Sequence, residues 1–176
     1  MSGPAAHLPP SGLILREERE DEYRSIHDMT VAAFSTVSYG DGTEGEIIDR
    51  LRADGDLSLS TVAELEGVLV GQVSLSPAKI GEATGWFGLG PIAVAIDHMR
   101  QGIGSALVRH AVDWACDQGA AGVCLVGSHE YYPRFGFQND GDVSYLDLTR
   151  KYVHWLTLSG PDPKGAITFA PALHGA

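Results

Sequence analysis

Apolar residues recur along the first 55 positions with two spacings, one typical of strands and one typical of helices. Residues 13–17 form a short β-rich run, which predicts a first strand. Helical spacing follows Asp21, which predicts a capped helix, and it returns after Thr43, where Glu46 completes the spacing of a capping box. These patterns predict two helices, the second of which ends near Gly55.

Three β-rich runs follow the two predicted helices. Residues 60–65 and 68–75 are separated by a two-residue connection that contains glycine, which is typical of a hairpin. Residues 86–95 form the third run, which is interrupted at Gly90 and Pro91. Because proline lacks an amide hydrogen and glycine is flexible, this pair predicts a bulge rather than an unbroken ladder.

The clearest helical pattern spans residues 102–119. Its apolar stripe predicts a face buried in the core, and Gly119 stands where the helix is expected to stop. The stripe consists of Ile103, Leu107, Ala111 and Trp114.

The remaining patterns predict shorter elements and complete the fold class. These are a strand at 123–126, a helix at 130–135, and two closing strands that pair with each other at 153–158 and 166–169. The order combines an antiparallel meander with one strand-helix-strand crossover, which predicts an α/β (α+β) fold with a single mixed sheet. Residues 1–12 lack a hydrophobic period and predict a disordered N-terminal arm, and residues 13–176 predict one domain.

Composition and charge remove several classes of function. The 176-residue chain has 12 basic and 23 acidic residues, a formal net charge of −11, which argues against a nucleic-acid partner. The acidic surface can attract a cationic amine, although solubility alone explains such an excess. Without a secretory signal or an apolar run of about 20 residues, we expect a cytoplasmic protein with no membrane partner. Cys116 and Cys124 lack metal-site or disulfide spacing, so we expect buried thiols and no metal.

A glycine-spaced turn joins the bulged strand to the long helix. The first turn of a helix offers unpaired N–H groups and a partial positive charge, which together attract phosphate. Gly102 and Gly104 would let a diphosphate approach the backbone, and Ser105 adds a hydroxyl donor. The alternative is a tight turn with no ligand. The P-loop lysine and the third glycine of a dinucleotide fingerprint are both missing.

Two motifs in this region resemble those of the Gcn5-related N-acetyltransferase (GNAT) superfamily, including a bacterial subgroup of small acetyltransferases. The segment 99–104 resembles the signature Gln/Arg-x-x-Gly-x-Gly/Ala, with Met99 where the family usually has Gln or Arg. The segment 130–137 resembles a second motif, in which Tyr132 stands four residues before Gly136-Phe137. The resemblance implies the GNAT fold, whose central strands splay apart, with acetyl-CoA (coenzyme A) as the cofactor.

The resemblance also implies roles for individual residues. Tyr132 matches the general acid that protonates the coenzyme A thiolate; alternatively its ring packs in the core and its hydroxyl bonds a carbonyl, with Tyr131 as the other candidate. Glu46, His129 and a water relay remain open as the route for the amine proton. The implied cofactor-binding residues are Ile92, Ala93, Val94, Met99, Arg100, Gln101, Gly102, Ile103, Gly104 and Ser105.

The function expected from this resemblance is an acyl-CoA dependent N-acyltransferase. It would pass the acetyl group directly, in a ternary complex, to a primary amine of a small molecule or protein. The alternative is a non-catalytic acyl-CoA binding or sensing module. The family also has homodimeric members, so a homodimer is compatible with the resemblance. We expect residues 35–42 to border the acceptor pocket, and Arg134 to form a surface ion pair rather than to approach the adenosine phosphates.

Overall fold

The structure of the protein, a computed structural model, describes residues 8–174 and contains one eight-stranded sheet with helices packed against it. Residues 1–7 of the predicted arm lie outside this range, so the disorder of the arm stays a prediction. The α-helices are α1 (Tyr23–Phe34), α2 (Glu44–Ala53) and α3 (Ile103–Asp117). The strands are β1 (Ile14–Glu17), β2 (Leu59–Leu65), β3 (Val68–Ile80), β4 (Ala83–Val94), β5 (Gly122–Val126), β6 (Val143–Ser144), β7 (Val153–Thr157) and β8 (Gly165–Thr168).

The sheet is mixed and mostly antiparallel, as predicted. Its main order is β1-β2-β3-β4-β5-β7, with β4 and β5 parallel and the other neighbours on this path antiparallel. The predicted pairing of the two closing strands is wrong. β7 pairs with β5, whereas β8 pairs with the far end of β3 and, in parallel, with β6.

The length of β3 explains where β8 binds. The strand was predicted to end at Leu75, yet it continues through Pro77 to Ile80. Pro77 lies between Leu75, the last residue paired with β2, and Lys79, the first paired with β8. Because this edge of β3 has no partner strand at Pro77, the missing amide hydrogen removes no ladder bond there. The extension creates the edge that β8 occupies.

The two central strands separate after a short contact. β4 and β5 pair over three residues each, from Trp86 to Gly88 and from Gly122 to Cys124. Beyond Gly88, β4 gains one residue relative to β3 at Gly90-Pro91, since Val73 faces Ile92 while Leu75 faces Leu89. This bulge and the splayed strands confirm the prediction. On the side of β4 that faces β5, residues Leu89 to Val94 therefore pair with no strand of the described range.

Helices cover both faces of the sheet. Ala63 and Val62 are neighbours in β2 and so project to opposite sides. Ala63 belongs to the buried cluster that contains Leu107 of α3, whereas Val62 packs with Ile26 of α1 and Ile48 of α2. The predicted stripe on α3 is buried at Ile103, Leu107 and Ala111, while half-buried Trp114 packs edge-on against Phe87.

The helix starts differ from the predicted caps. The Asp21 cap is wrong, because a 3₁₀ turn over Glu20–Glu22 precedes α1 and the Glu22 carboxylate accepts the Arg19 backbone N–H at 2.8 Å. The predicted capping box at Thr43 is also wrong. The Thr43 hydroxyl donates to the Asp41 carboxylate instead of capping α2, and the Glu46 side chain is exposed.

Three smaller features complete the fold. The helix predicted at residues 130–135 is a 3₁₀ turn, Tyr132–Phe135, ended by Gly136 with a φ of 92°. Cys124 is buried as expected, but Cys116 is exposed because it lies on the face of α3 away from the core. No helix among residues 8–174 is both long and apolar enough to cross a membrane.

Candidate active site

The turn before α3 has the backbone conformation that the glycine spacing predicts. Gly102 stands at the N-cap of α3 with a φ of 84°, a left-handed conformation that glycine adopts at least cost. Arg100 also has a positive φ, of 62°. No side chain of residues 8–174 caps α3, so within this range its first-turn N–H groups have no side-chain acceptor. The turn is therefore suited to an external anion.

This turn forms one end of a cavity of about 1370 Å³, which we call the outer cleft. Its volume is above the range of roughly 300 to 1,000 Å³ that is typical of small-ligand sites. Two of the predicted cofactor-binding residues do not line the outer cleft: Gln101 is exposed to solvent and Ile103 is buried in the core. For these two residues, a contact through the main chain stays a prediction. The others all line the outer cleft: Ile92, Ala93, Val94, Met99, Arg100, Gly102, Gly104 and Ser105.

Arginine side chains give the outer cleft positive charge. Arg109 lies in its lining, with its guanidinium 4.9 Å from the centre of the Phe135 ring. Arg134 also lines it, 4.5 Å from the Tyr131 ring centre, and donates to the Tyr131 carbonyl at 2.9 Å. The surface ion pair expected for Arg134 is wrong, because no carboxylate within the described range pairs with it. Arg109 was missed, although its place one helical turn after Ser105 would have indicated it.

Tyr131 closes the turn from the other side. Its hydroxyl lies 3.2 Å from the Ser105 hydroxyl, at hydrogen-bond distance. A Cβ atom placed on Gly104 would be 3.2 Å from the same Tyr131 oxygen. Burial raises the pKa of the Tyr131 phenol, so the group is neutral at physiological pH. The Tyr131 hydroxyl thus lies beside the turn that is predicted to bind an anion.

A second cavity, of about 420 Å³, lies where β4 and β5 separate; we call it the inner pocket. Gly90 and Pro91 of the bulge line it, together with Gly127 just after β5. The two cavities have four lining residues in common, Phe34, Tyr39, Ile92 and Tyr131. They are therefore adjacent parts of one site, which follows the gap between the splayed strands.

Tyr132 lines the inner pocket and is only 8% exposed. Its ring packs edge-on against Phe137 and lies 5.5 Å from the ring of His154. The packing part of the alternative interpretation is therefore right, but the hydroxyl bonds no carbonyl of residues 8–174. Burial raises the pKa of this phenol. Tyr132 consequently presents a protonated hydroxyl that is free to donate to a ligand.

Comparison with known proteins identifies the family. A family model described as the acetyltransferase (GNAT) family matches residues 15–137. The chain belongs to the GNAT family. A structure of a GNAT acetyltransferase from Brucella melitensis in complex with acetyl-CoA is 37% identical, with a TM-score of 0.80, over 91% of this chain and 97% of that one. The GNAT protein YhbS of Escherichia coli, solved in complex with CoA, is 26% identical, with a TM-score of 0.82, over 98% of this chain and 94% of that one.

Curated relatives match over a smaller part of their length. N-acetyltransferase family 8 member 3 of Rattus norvegicus is 34% identical over 110 residues, which are 58% of this chain and 48% of that protein. The uncharacterized N-acetyltransferase YjhQ of Escherichia coli is 30% identical over 116 residues, which are 62% of this chain and 64% of that protein. This GNAT chain thus spans less than two thirds of either relative.

The GNAT site contains a carboxylate that differs from the side chains expected to accept the amine proton. Glu46 and His129 are exposed and line neither cavity, and His129 packs against the ring of Tyr152 instead. Glu44, by contrast, is buried and lines the inner pocket. The sequence did not indicate Glu44, because the capping-box spacing from Thr43 indicates Glu46 instead. The expected position of the loop 35–42 is supported by Tyr39, which lines both cavities.

Proposed function

We propose that this GNAT protein transfers the acetyl group of acetyl-CoA directly to a primary amine in a ternary complex. The observation that carries this proposal is the continuity of the site: the outer cleft begins at the Gly102 turn and adjoins the inner pocket that contains Tyr132. The diphosphate group of acetyl-CoA would bind the backbone amides of the Gly102 turn, and Arg109 and Arg134 would add positive charge. The relatives solved with acetyl-CoA and CoA support this choice of cofactor.

The inner pocket supplies what the transfer requires. In the reaction the amine nitrogen forms a bond to the acetyl carbon, the carbon–sulfur bond breaks, and the amine proton replaces the acetyl group on sulfur. Tyr132 would donate a hydrogen bond to sulfur as negative charge develops, a role that its raised pKa permits because the phenol stays protonated. The unpaired edge of β4 near Ile92 would bind the arm of the cofactor through main-chain groups, as an added strand does.

Binding and turnover experiments test the proposal separately. Calorimetry should show saturable binding of coenzyme A and acetyl-CoA, and a panel of primary amines should give amine-dependent release of free thiol together with the acetylated amine. Failure of both cofactors to bind at millimolar concentration would contradict the proposal. Binding without acetylation of any amine would favour the non-catalytic sensing module. Competition with ATP or NAD is the control for a general nucleotide site.

A further inference from the structure

The inner pocket combines an apolar wall with one buried carboxylate. Aromatic rings from separate parts of the chain face it, among them Phe34, Tyr145 and Phe169, and Leu173 closes it near the C-terminus. Among the lining residues of the described range, Glu44 supplies the one carboxylate, and none supplies a Lys, Arg or His side chain. A wall of this composition favours an occupant with an apolar body and a single opposite charge.

The Glu44 carboxylate is held in a fixed orientation. Glu44 is only 7% exposed. Its two carboxylate oxygens accept hydrogen bonds from the backbone N–H groups of Asp41, at 2.9 Å, and Gly42, at 3.1 Å. No Lys, Arg or His side chain of the described range forms an ion pair with it. Amides orient a carboxylate but do not neutralise it, so a buried negative charge remains for a cation to pair with.

We infer that Glu44 selects the acceptor: a primary amine with a single positive charge on an apolar skeleton. The inference rests on the proposed function, because it names the acceptor of that reaction. A polyamine would bring further positive charges for which the lining has no second carboxylate. A free amino acid would bring its own carboxylate towards Glu44, at an unfavourable like-charge contact. Glu44 binds the ammonium form and sets specificity; the ammonium then releases one proton to solvent water, and the neutral amine attacks the acetyl carbon.

The test measures binding without turnover. Calorimetry on the protein saturated with coenzyme A compares N,N-dimethyl-2-phenylethylamine, a cation at pH 7 that cannot form an amide, with neutral 2-phenylethanol. We expect the cation to bind at least tenfold more tightly than the alcohol and Glu44→Gln to remove this preference. Glu46→Gln is the matched control, because Glu46 lies on the same helix but is exposed and outside both cavities; it should keep the preference.

The outcomes separate this inference from the proposed function. Equal binding of the two probes to the unmodified protein overturns the selection by Glu44 and does not depend on any variant folding. A cation preference that survives in a folded Glu44→Gln protein also overturns it. Turnover is compared with 2-phenylethylamine and spermidine, for which we expect at least a tenfold higher kcat/KM for the first; a preference for spermidine contradicts the inference but leaves acetyl transfer intact. If no amine is acetylated, the proposed function fails. A cation preference that Glu44→Gln removes would still support Glu44 as the group that binds the cation.

Discussion

The hydroxyl of Tyr131 lies 3.2 Å from the hydroxyl of Ser105, in the turn that precedes α3. The adjacent Tyr132 has no hydrogen-bond partner for its hydroxyl within the described range and lines the inner pocket instead. Tyr132 begins a 3₁₀ turn and lines the inner pocket alone, whereas Tyr131, just before it, lines both cavities and places its hydroxyl beside Ser105. If the proposed function is right, substitutions of these neighbours should affect different kinetic constants.

Tyr131→Phe should weaken binding of coenzyme A and leave the chemical step almost unchanged. The lost hydroxyl is a donor beside Ser105 in the predicted diphosphate site, and a hydrogen bond to a charged group contributes about 1.5–3 kcal/mol. We expect Kd to rise by about tenfold, with kcat at saturating acetyl-CoA within threefold of the unmodified protein. Calorimetry and steady-state kinetics measure the two quantities. An unchanged Kd would remove Tyr131 from the cofactor site.

Tyr132→Phe should have the opposite effect. We expect kcat to fall at least tenfold, because general acid catalysis contributes about 10²–10⁴ in rate, while the KM for acetyl-CoA stays within threefold. The melting temperature should change little, since the hydroxyl has no partner within the described range and the ring packing is kept. Thiol release and thermal unfolding are the measurements. Full activity in the variant would assign Tyr132 to packing alone.

Gly104→Ala should separate cofactor binding from stability. Gly104 lies in the first turn of α3, where alanine is favoured over glycine by up to about 1 kcal/mol. The added methyl would meet the Tyr131 hydroxyl at 3.2 Å, a side-chain end that can shift, but it would occupy the space through which a diphosphate approaches. We expect an equal or higher melting temperature together with at least a tenfold weaker affinity for coenzyme A.

The matched comparison is Gly102→Ala, which adds the same methyl one residue before the start of α3. Its φ of 84° is left-handed, a conformation that costs a non-glycine residue about 1–2 kcal/mol. We therefore expect Gly102→Ala to lower the melting temperature. If Gly104→Ala binds coenzyme A with unchanged affinity, the diphosphate does not approach the backbone at this position.

The parts of the fold that follow from local pattern were predictable from the sequence. The stripe from Ile103 to Ala111 indicates α3, and Gly90-Pro91 indicates the bulge, because spacing and backbone chemistry determine both. The partner of β8 was not predictable, since it depends on how far β3 continues past Pro77. Nor was Glu44, because its place in the inner pocket depends on distant segments, which contribute lining residues such as Tyr145 and Phe169. Within the candidate site, the conformation of the Gly102 turn followed most directly from the sequence, because a left-handed φ is a main-chain property that glycine indicates.

A buried histidine, His154, packs against the ring of Tyr132. His154 is fully buried, and its Nε2 lies 3.1 Å from the carbonyl oxygen of Gly127, to which a neutral ring can donate. Burial lowers the pKa of His154 from its ordinary value of 6.5. As pH falls below that value, His154 binds a proton in the unfolded chain but stays neutral in the folded protein. The free energy of unfolding therefore decreases, by at most about 1.4 kcal/mol per pH unit for one group.

Thermal unfolding between pH 7.5 and 5.5 checks this dependence, in a window above the range where the lowered pKa of Glu22 acts. His154→Gln keeps a donor for the Gly127 carbonyl but cannot be protonated, so its melting temperature should fall less steeply with pH, even if it starts lower through lost packing on Tyr132. His110→Gln on α3 is the control for the effect of replacing a histidine elsewhere in the fold. Parallel slopes for His154→Gln and the unmodified protein would show that another group carries the acid sensitivity.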